Sequence, residues 1–145
     1  MNNDPEQAEQ SSTTVYDLLG DKWTLVILRD LLFEGKTTFT EFKASPEKIA
    51  SNILTSRLKS LDSEGFVIKT GSASNKVKYQ YSLTDKAIEL LPVFISLLQW
   101  SEKHLPGTVS TSTTYQKLSE PGADIATYAR ELKKKRDVDL GMKLK

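Results

Sequence analysis

The sequence contains no cysteine and a single histidine, His104. Without thiols there can be no disulfide, no thiolate metal site and no cysteine redox chemistry. No HExxH helix, glycine-rich phosphate loop or serine elbow is present. His104 falls at a predicted helix end, where a terminal polar residue is expected rather than a base. These absences point away from an enzyme, and no metal or cofactor is expected. No run of about 18 apolar residues occurs, so no membrane span is expected. The opening segment, MNNDPEQAEQSSTT, lacks a basic and an apolar region and does not read as a secretory signal. A cytoplasmic location is the expectation. A strong charge of either sign is also missing: the net charge is +1, whereas nucleic-acid-binding domains are usually more basic.

The distribution of charge says more than its sum. Residues 1–21 hold five acids and no Lys or Arg, while residues 36–86 hold nine Lys or Arg against five acids. Local charge of this kind, a net +4 from nine minus five, is what steers a polyanion.

The basic half contains the stretch SPEKIASNILTSRLKSLDSEG, residues 45–65. Leu54, Leu58 and Leu61 recur at i, i+4 and i+7, the spacing of one buried helix face. Ser51 is the expected N-cap and Gly65 the expected C-cap. The opposite face carries Asn52, Thr55, Ser56 and Lys59, with Arg57 on the flank, and its first two turns are free of acid. Short hydrogen-bonding side chains beside cations suit a helix that enters a DNA groove. The same pattern also fits a plain solvated face.

The elements around it favour the groove reading. Residues 1–13 are polar and aperiodic and are expected to form a flexible tail. Thr14 to Leu19 reads as a helical turn ending at Gly20. Asp21 is the expected cap of a helix from Lys22 to Phe33, whose apolar side is Trp23, Ile27, Leu28, Leu31 and Leu32. Thr38 or Thr40 is expected to cap a short helix through Phe42, with Phe39 and Phe42 inward. A helix-turn-helix with one helix in front results. After Gly65 the period changes to two: residues 66–70 and the alternating run 77–83 flank a turn-like segment, GSASN. In the second run Val77, Tyr79, Tyr81 and Leu83 face one way, and Lys78, Gln80 and Ser82 the other. A hairpin directly after such a helix is a wing, and Lys69, Lys76 and Lys78 lie on or beside it.

Thr84 is expected to cap a helix over 85–104, kinked or made irregular at Pro92. This segment carries two apolar stripes. Ala87, Ile88, Leu91, Phe94, Ile95 and Leu98 form one; Leu90, Val93, Leu97 and Trp100 form the other. One small domain can bury the first, and the second is expected to form a two-fold homodimer interface or to receive the C-terminal extension. Pro106-Gly107 breaks the pattern, and TVSTSTTYQKLSEPG, residues 108–122, reads as a linker. The segment ADIATYARELKKKR then reads as an amphipathic helix with Ile125, Tyr128 and Leu132 on one face. Its basic end, 133–136, is either a solvated helix terminus or an arm toward DNA or the dimer.

The expected architecture is thus mainly α with a small β-hairpin wing: a tail over 1–13, a winged helix-turn-helix domain over 14–106, and an extension over 107–145. Several segments together resemble the HxlR-type family of bacterial winged-helix transcriptional regulators, relatives of the MarR type. They are LLGDKWTLVILRDL at 18–31, FTEF at 39–42, ILTSRLKSL at 53–61, EGFV at 64–67, YQYSLT at 79–84, and LPV at 91–93 with Trp100. The resemblance implies a homodimer built from the first and last helices of the domain, with recognition helices in successive major grooves of a palindromic operator. Some members sense oxidants through a cysteine before the first helix, a position near Gln10 here. On this reading double-stranded DNA is the partner. Ser51, Asn52, Thr55, Ser56, Arg57, Lys59, Lys36, Lys76 and Lys78 are the candidate DNA-binding residues, and Leu90, Val93, Leu97 and Trp100 the dimer interface. A small-molecule effector, if any, is expected near Trp23, Phe94 and Trp100. The competing expectation is a winged-helix protein-interaction module without DNA.

Overall fold

The computed structural model describes residues 14–72, 75–105, 107 and 112–141, with the backbone alone for 72 and 75–78. The elements run α1 (Val15–Leu19), α2 (Lys22–Phe33), α3 (Phe39–Lys43), α4 (Ser51–Ser63), β1 (Val67–Ser72), β2 (Asn75–Leu83), α5 (Asp85–Ile88), α6 (Leu91–His104), α7 (Thr113–Leu118) and α8 (Ile125–Asp139). Among these elements the single sheet is the antiparallel pair β1–β2.

Local chemistry sets most boundaries. The Asp21 carboxylate accepts from the Thr24 amide at 2.8 Å and starts α2. Thr38 and Glu41 form a reciprocal capping box on α3, and Thr84 caps α5. Gly65, at φ +81°, takes the left-handed position just past α4, where a side chain would be strained. Gly71 sits at an irregularity in the hairpin, and a Cβ there would lie 2.4 Å from the Tyr79 ring.

The core is assembled from one face of each element. Ile27, Leu28, Leu31 and Leu32 of α2 meet Phe42 of α3 and Leu54, Leu58 and Leu61 of α4. Tyr81 and Leu83 close it from β2, with Tyr81 edge-on to Phe42 at 6.3 Å. Ala87, Ile88, Leu91, Phe94 and Ile95 complete it from α5 and α6. A short bridge between Thr38 and Gln80, with the Tyr81 amide donating to the Thr37 carbonyl at 2.8 Å, ties the entry of α3 to the wing.

Two expectations are corrected. The helix expected over 85–104 is two helices, because the chain turns at Glu89–Leu90. Pro92 therefore stands in the first turn of α6, where no backbone donor is required, and makes no kink. The expected linker over 108–122 contains α7, with Tyr115 wholly buried. Its ring meets Phe33 edge-on at 6.1 Å, and its hydroxyl donates to Glu102 at 2.9 Å. Ser82, on the side of β2 opposite Tyr81 and Leu83, is buried, and α8 packs along that strand.

The last helix is fastened at both ends. The Tyr128 hydroxyl donates to the Leu32 carbonyl at 2.5 Å. Arg136 donates to the Leu83 carbonyl at 3.1 Å and to the Asp85 carboxylate at 2.7 Å. Arg136 is thereby withdrawn from the cationic run read in the sequence as a free terminus or arm. Ile125, Tyr128 and Leu132, as expected, are the side chains that pack on the core. No helix among the described residues is long and apolar enough to cross a membrane.

Candidate nucleic-acid interface

The recognition helix of this arrangement is α4. Its buried side is Leu54, Leu58 and Leu61, and its exposed side presents Ser51, Asn52, Thr55, Ser56 and Lys59 together. The first acid of the helix is Asp62, in its last turn. Ser51 is not the N-cap. Lys48 takes a left-handed turn at φ +58°, Ile49 is buried, and extended Ala50 occupies the cap position without a side-chain bond. Ser51 is the first helical residue, so its hydroxyl points outward instead of closing the helix. Ile49 and Leu54, both buried, stand at the spacing of a hydrophobic staple across this start.

The turn before α4 is clamped by charge. Asp30 lies on the buried stripe of α2, wholly enclosed. It accepts from Ser45 Oγ, from Arg29 Nη2 at 2.7 Å, and has Lys36 Nζ 3.6 Å away. Arg29 also reaches Glu47 at 2.5 Å. Burial opposes the charge on Arg29, but the bonds to Glu47 and Asp30 outweigh it and hold its pKa above the usual value. Lys43 Nζ donates to the Ile49 carbonyl at 2.7 Å. Sequence reasoning missed this clamp. Its one local signal was an acid three residues after Ile27, on a face otherwise apolar.

Two candidate DNA-binding residues have partners within the chain. Lys36 is turned inward to Ser45 Oγ at 2.9 Å and to Asp30. Arg57 is held by Asp21 through Nε at 2.9 Å and Nη2 at 3.1 Å, because its flank position faces the start of α2 rather than solvent. Lys76 and Lys78 lie in β2, but their side chains fall outside the described residues. Lys69, on β1, is exposed over the Tyr79 ring at 4.0 Å and lines a shallow cleft with Thr55 and Lys59. The helix and the wing thus share one surface with cations on both sides.

The second apolar stripe lies on α6. Val93, Leu97 and Trp100 are 38, 44 and 58% exposed, while Leu90 is half-buried at the edge. The C-terminal extension contacts α6 elsewhere, through Glu102 and through Gln99 to the Ser119 carbonyl, and leaves those three uncovered. Phe94 is buried against Phe33, Trp23 packs at the core's edge, and Trp100 lies outward beside His104.

Residues 18–109 match the HxlR-like helix-turn-helix family. The chain belongs to that family. Its HxlR-like relatives include YdeP of Bacillus subtilis (strain 168), named as an uncharacterized HTH-type transcriptional regulator. It is 33% identical over 91 residues, 63% of this chain and 70% of YdeP. BH0655 of Halalkalibacterium halodurans, named likewise, is 37% identical over 87 residues, 60% of this chain and 77% of BH0655. Among solved structures, PA1607, a proposed transcription factor, has a TM-score of 0.57 at 33% identity, covering 72% of this chain and 74% of PA1607. The redox regulator HypR in its reduced form has a TM-score of 0.56 at 26% identity, covering 69% and 92%. The described fold is a helix-turn-helix with a β-hairpin wing, and the relatives carry the names of HTH-type transcriptional regulators, a transcription factor and a redox regulator.

Proposed function

We propose that this chain regulates transcription as a homodimer that binds a palindromic double-stranded operator. The observation that carries this is the exposed face of α4, free of acid until Asp62 in its last turn, set on a clamped turn and flanked by the wing. Its N-terminal half enters the major groove. Asn52 suits an adenine edge through its paired donor and acceptor, while Thr55 and Ser56 are less discriminating. Lys59 and the wing lysines Lys69, Lys76 and Lys78 meet phosphates. The first amides of α4 receive no side-chain cap, and such helix N-terminal amides suit a phosphate. Burying the exposed α6 face of Val93, Leu97 and Trp100 against its copy supplies the two-fold axis, at about 25 cal/mol per Å² of apolar surface. HypR is a redox regulator, but this chain has no cysteine, so a thiol switch does not transfer.

The test is sedimentation equilibrium of the chain, alone and with a fluorescent mixed-sequence duplex, at two salt concentrations. A dimer whose DNA affinity falls steeply with salt is expected. A monomer without DNA affinity at low salt would overturn both the dimer and the groove assignment, and would favour a protein-interaction module.

A further inference from the structure

A cavity of about 350 Å³ lies between the wing and the last helix. Its walls come from the end of α2, the connection to α3, β2, α7 and α8. Buried Leu31 and half-buried Leu132 give apolar surface, and exposed Glu131, Lys135 and Asp139 stand at the rim. The volume is that of a small-ligand site, and the lining has the mix of apolar walls and a few polar groups that such sites use.

The wall contains a buried hydroxyl without a partner. Ser82 is 4% exposed, and its Oγ makes no hydrogen bond among the described residues. Side chains alternate along a strand. Tyr81 meets Phe42 on the side of the recognition helix, so Ser82 faces the other way, toward α8 and the cavity. Buried polar groups are nearly always paired, and an exception asks for an explanation.

The charges in the wall select the sign of a ligand. Arg136 is committed to Asp85, Asp137 and the Leu83 carbonyl, and Lys135 to Asp139 at 3.8 Å. Glu131 accepts no hydrogen bond among the described residues. It lies close enough to the Tyr128 phenol that its charge adds to burial, and to the charge of Glu34, in raising that group to about 12. An anion would face Glu34, Glu131 and Asp139, with Arg136 already engaged and Lys135 set against Asp139. A cation would meet Glu131 beside Tyr128, both of which line the cavity.

We propose that this cavity binds a small organic cation with an apolar body, the body lying on Leu31 and Leu132 and the charge at Glu131 and Tyr128. Occupancy is transmitted to DNA binding through β2, since Ser82 and Leu83 continue directly into the wing. That second step rests on the DNA-binding reading; the binding step does not.

The experiment uses the full chain and phenethylammonium as the probe, with phenylacetate and phenethyl alcohol as controls, followed by amide NMR. Saturable shifts at Ser82, Leu83 and α8 are expected from the ammonium and not from the carboxylate. Glu131→Gln, on the exposed rim, should weaken binding by about tenfold, the loss of one charge-assisted contact. Glu120→Gln, away from the cavity, should leave it unchanged. The assignment is overturned if no saturable shift occurs at these amides, if phenylacetate binds as well, or if Glu131→Gln binds the probe equally. Coupling is read separately, as duplex anisotropy with and without saturating probe. Unchanged DNA affinity would overturn transmission through β2. A chain that binds the probe but no duplex would uphold the cavity and overturn the DNA reading.

Discussion

Arg57 of the recognition helix is bound through two nitrogens to Asp21, the residue that caps α2, at 2.9 and 3.1 Å. One carboxylate thus starts a core helix and fixes the azimuth of the helix that faces outward. The Asp21 carboxyl is held down to about 2, first by the Arg57 hydrogen bond, against burial, and also by those from Thr24. A carboxyl depressed in the folded state stabilises it above its unfolded pKa, and that contribution is lost as pH falls through the folded value. The loss here falls between about pH 4 and pH 2, and amounts to roughly 1 kcal/mol once the pair's partial exposure is allowed for. In Arg57→Met the Asp21 midpoint should rise toward 3.8 in a carboxyl NMR titration. An unmoved midpoint would mean that the pair does not form in solution.

Asn52→Ala should weaken operator binding by about 1–3 kcal/mol and relax preference at one base pair, whereas Lys59→Ala should weaken all sequences alike and flatten the salt dependence. Binding to a library of duplexes at two salt concentrations separates them. An equal loss on every sequence for Asn52→Ala would reduce it to a positioning contact.

Asp30→Ala removes the centre of the clamp and leaves Arg29 and Lys36 without it. Breaking a buried charge network from one side destabilises by about 3–5 kcal/mol. Urea unfolding should show this as a lower midpoint, and a change under about 1 kcal/mol would place the clamp outside the folded core's energetics.

Leu97→Glu puts a charge in the middle of the exposed α6 face. Sedimentation should give a monomer whose fold, by circular dichroism, matches the parent, with operator affinity lost along with the second half-site. A dimer that persists would move the interface away from Val93, Leu97 and Trp100.

Tyr115→Ala opens a space beside Phe33 and strands the Glu102 carboxylate. Removing a wholly buried aromatic costs about 3–5 kcal/mol. A thermal midpoint unchanged by this substitution would show that the extension does not stabilise the domain.

The sequence made the helix-turn-helix and wing legible where one periodicity decided burial. Leu54, Leu58 and Leu61 share a face because a single helix has one core to meet, and Asp21, Thr38 and Thr84 cap helices whose amides are three residues away. Partners distant in the chain leave no such mark. Arg57 and Asp21 are 36 residues apart, so the flank of α4 looked open when it was not. Ser51 lost its role as cap to the left-handed turn at Lys48, which composition does not announce. Tyr115 and Leu118 stand at helical spacing, but surrounding Ser and Thr made their segment look like a linker. Once that segment was read as linker, nothing suggested that α8 would cover Ser82.

The bond from Tyr128 to the Leu32 carbonyl spans 96 positions. The wing and helix-turn-helix emerge from the ribosome well before their last covering helix exists. Closing so long a loop gains its contacts only after its entropy has been surrendered, which slows folding. During synthesis the back of β2 is therefore bare, and an interval exists in which the DNA-reading elements are complete while the sheet behind them still offers an unprotected face.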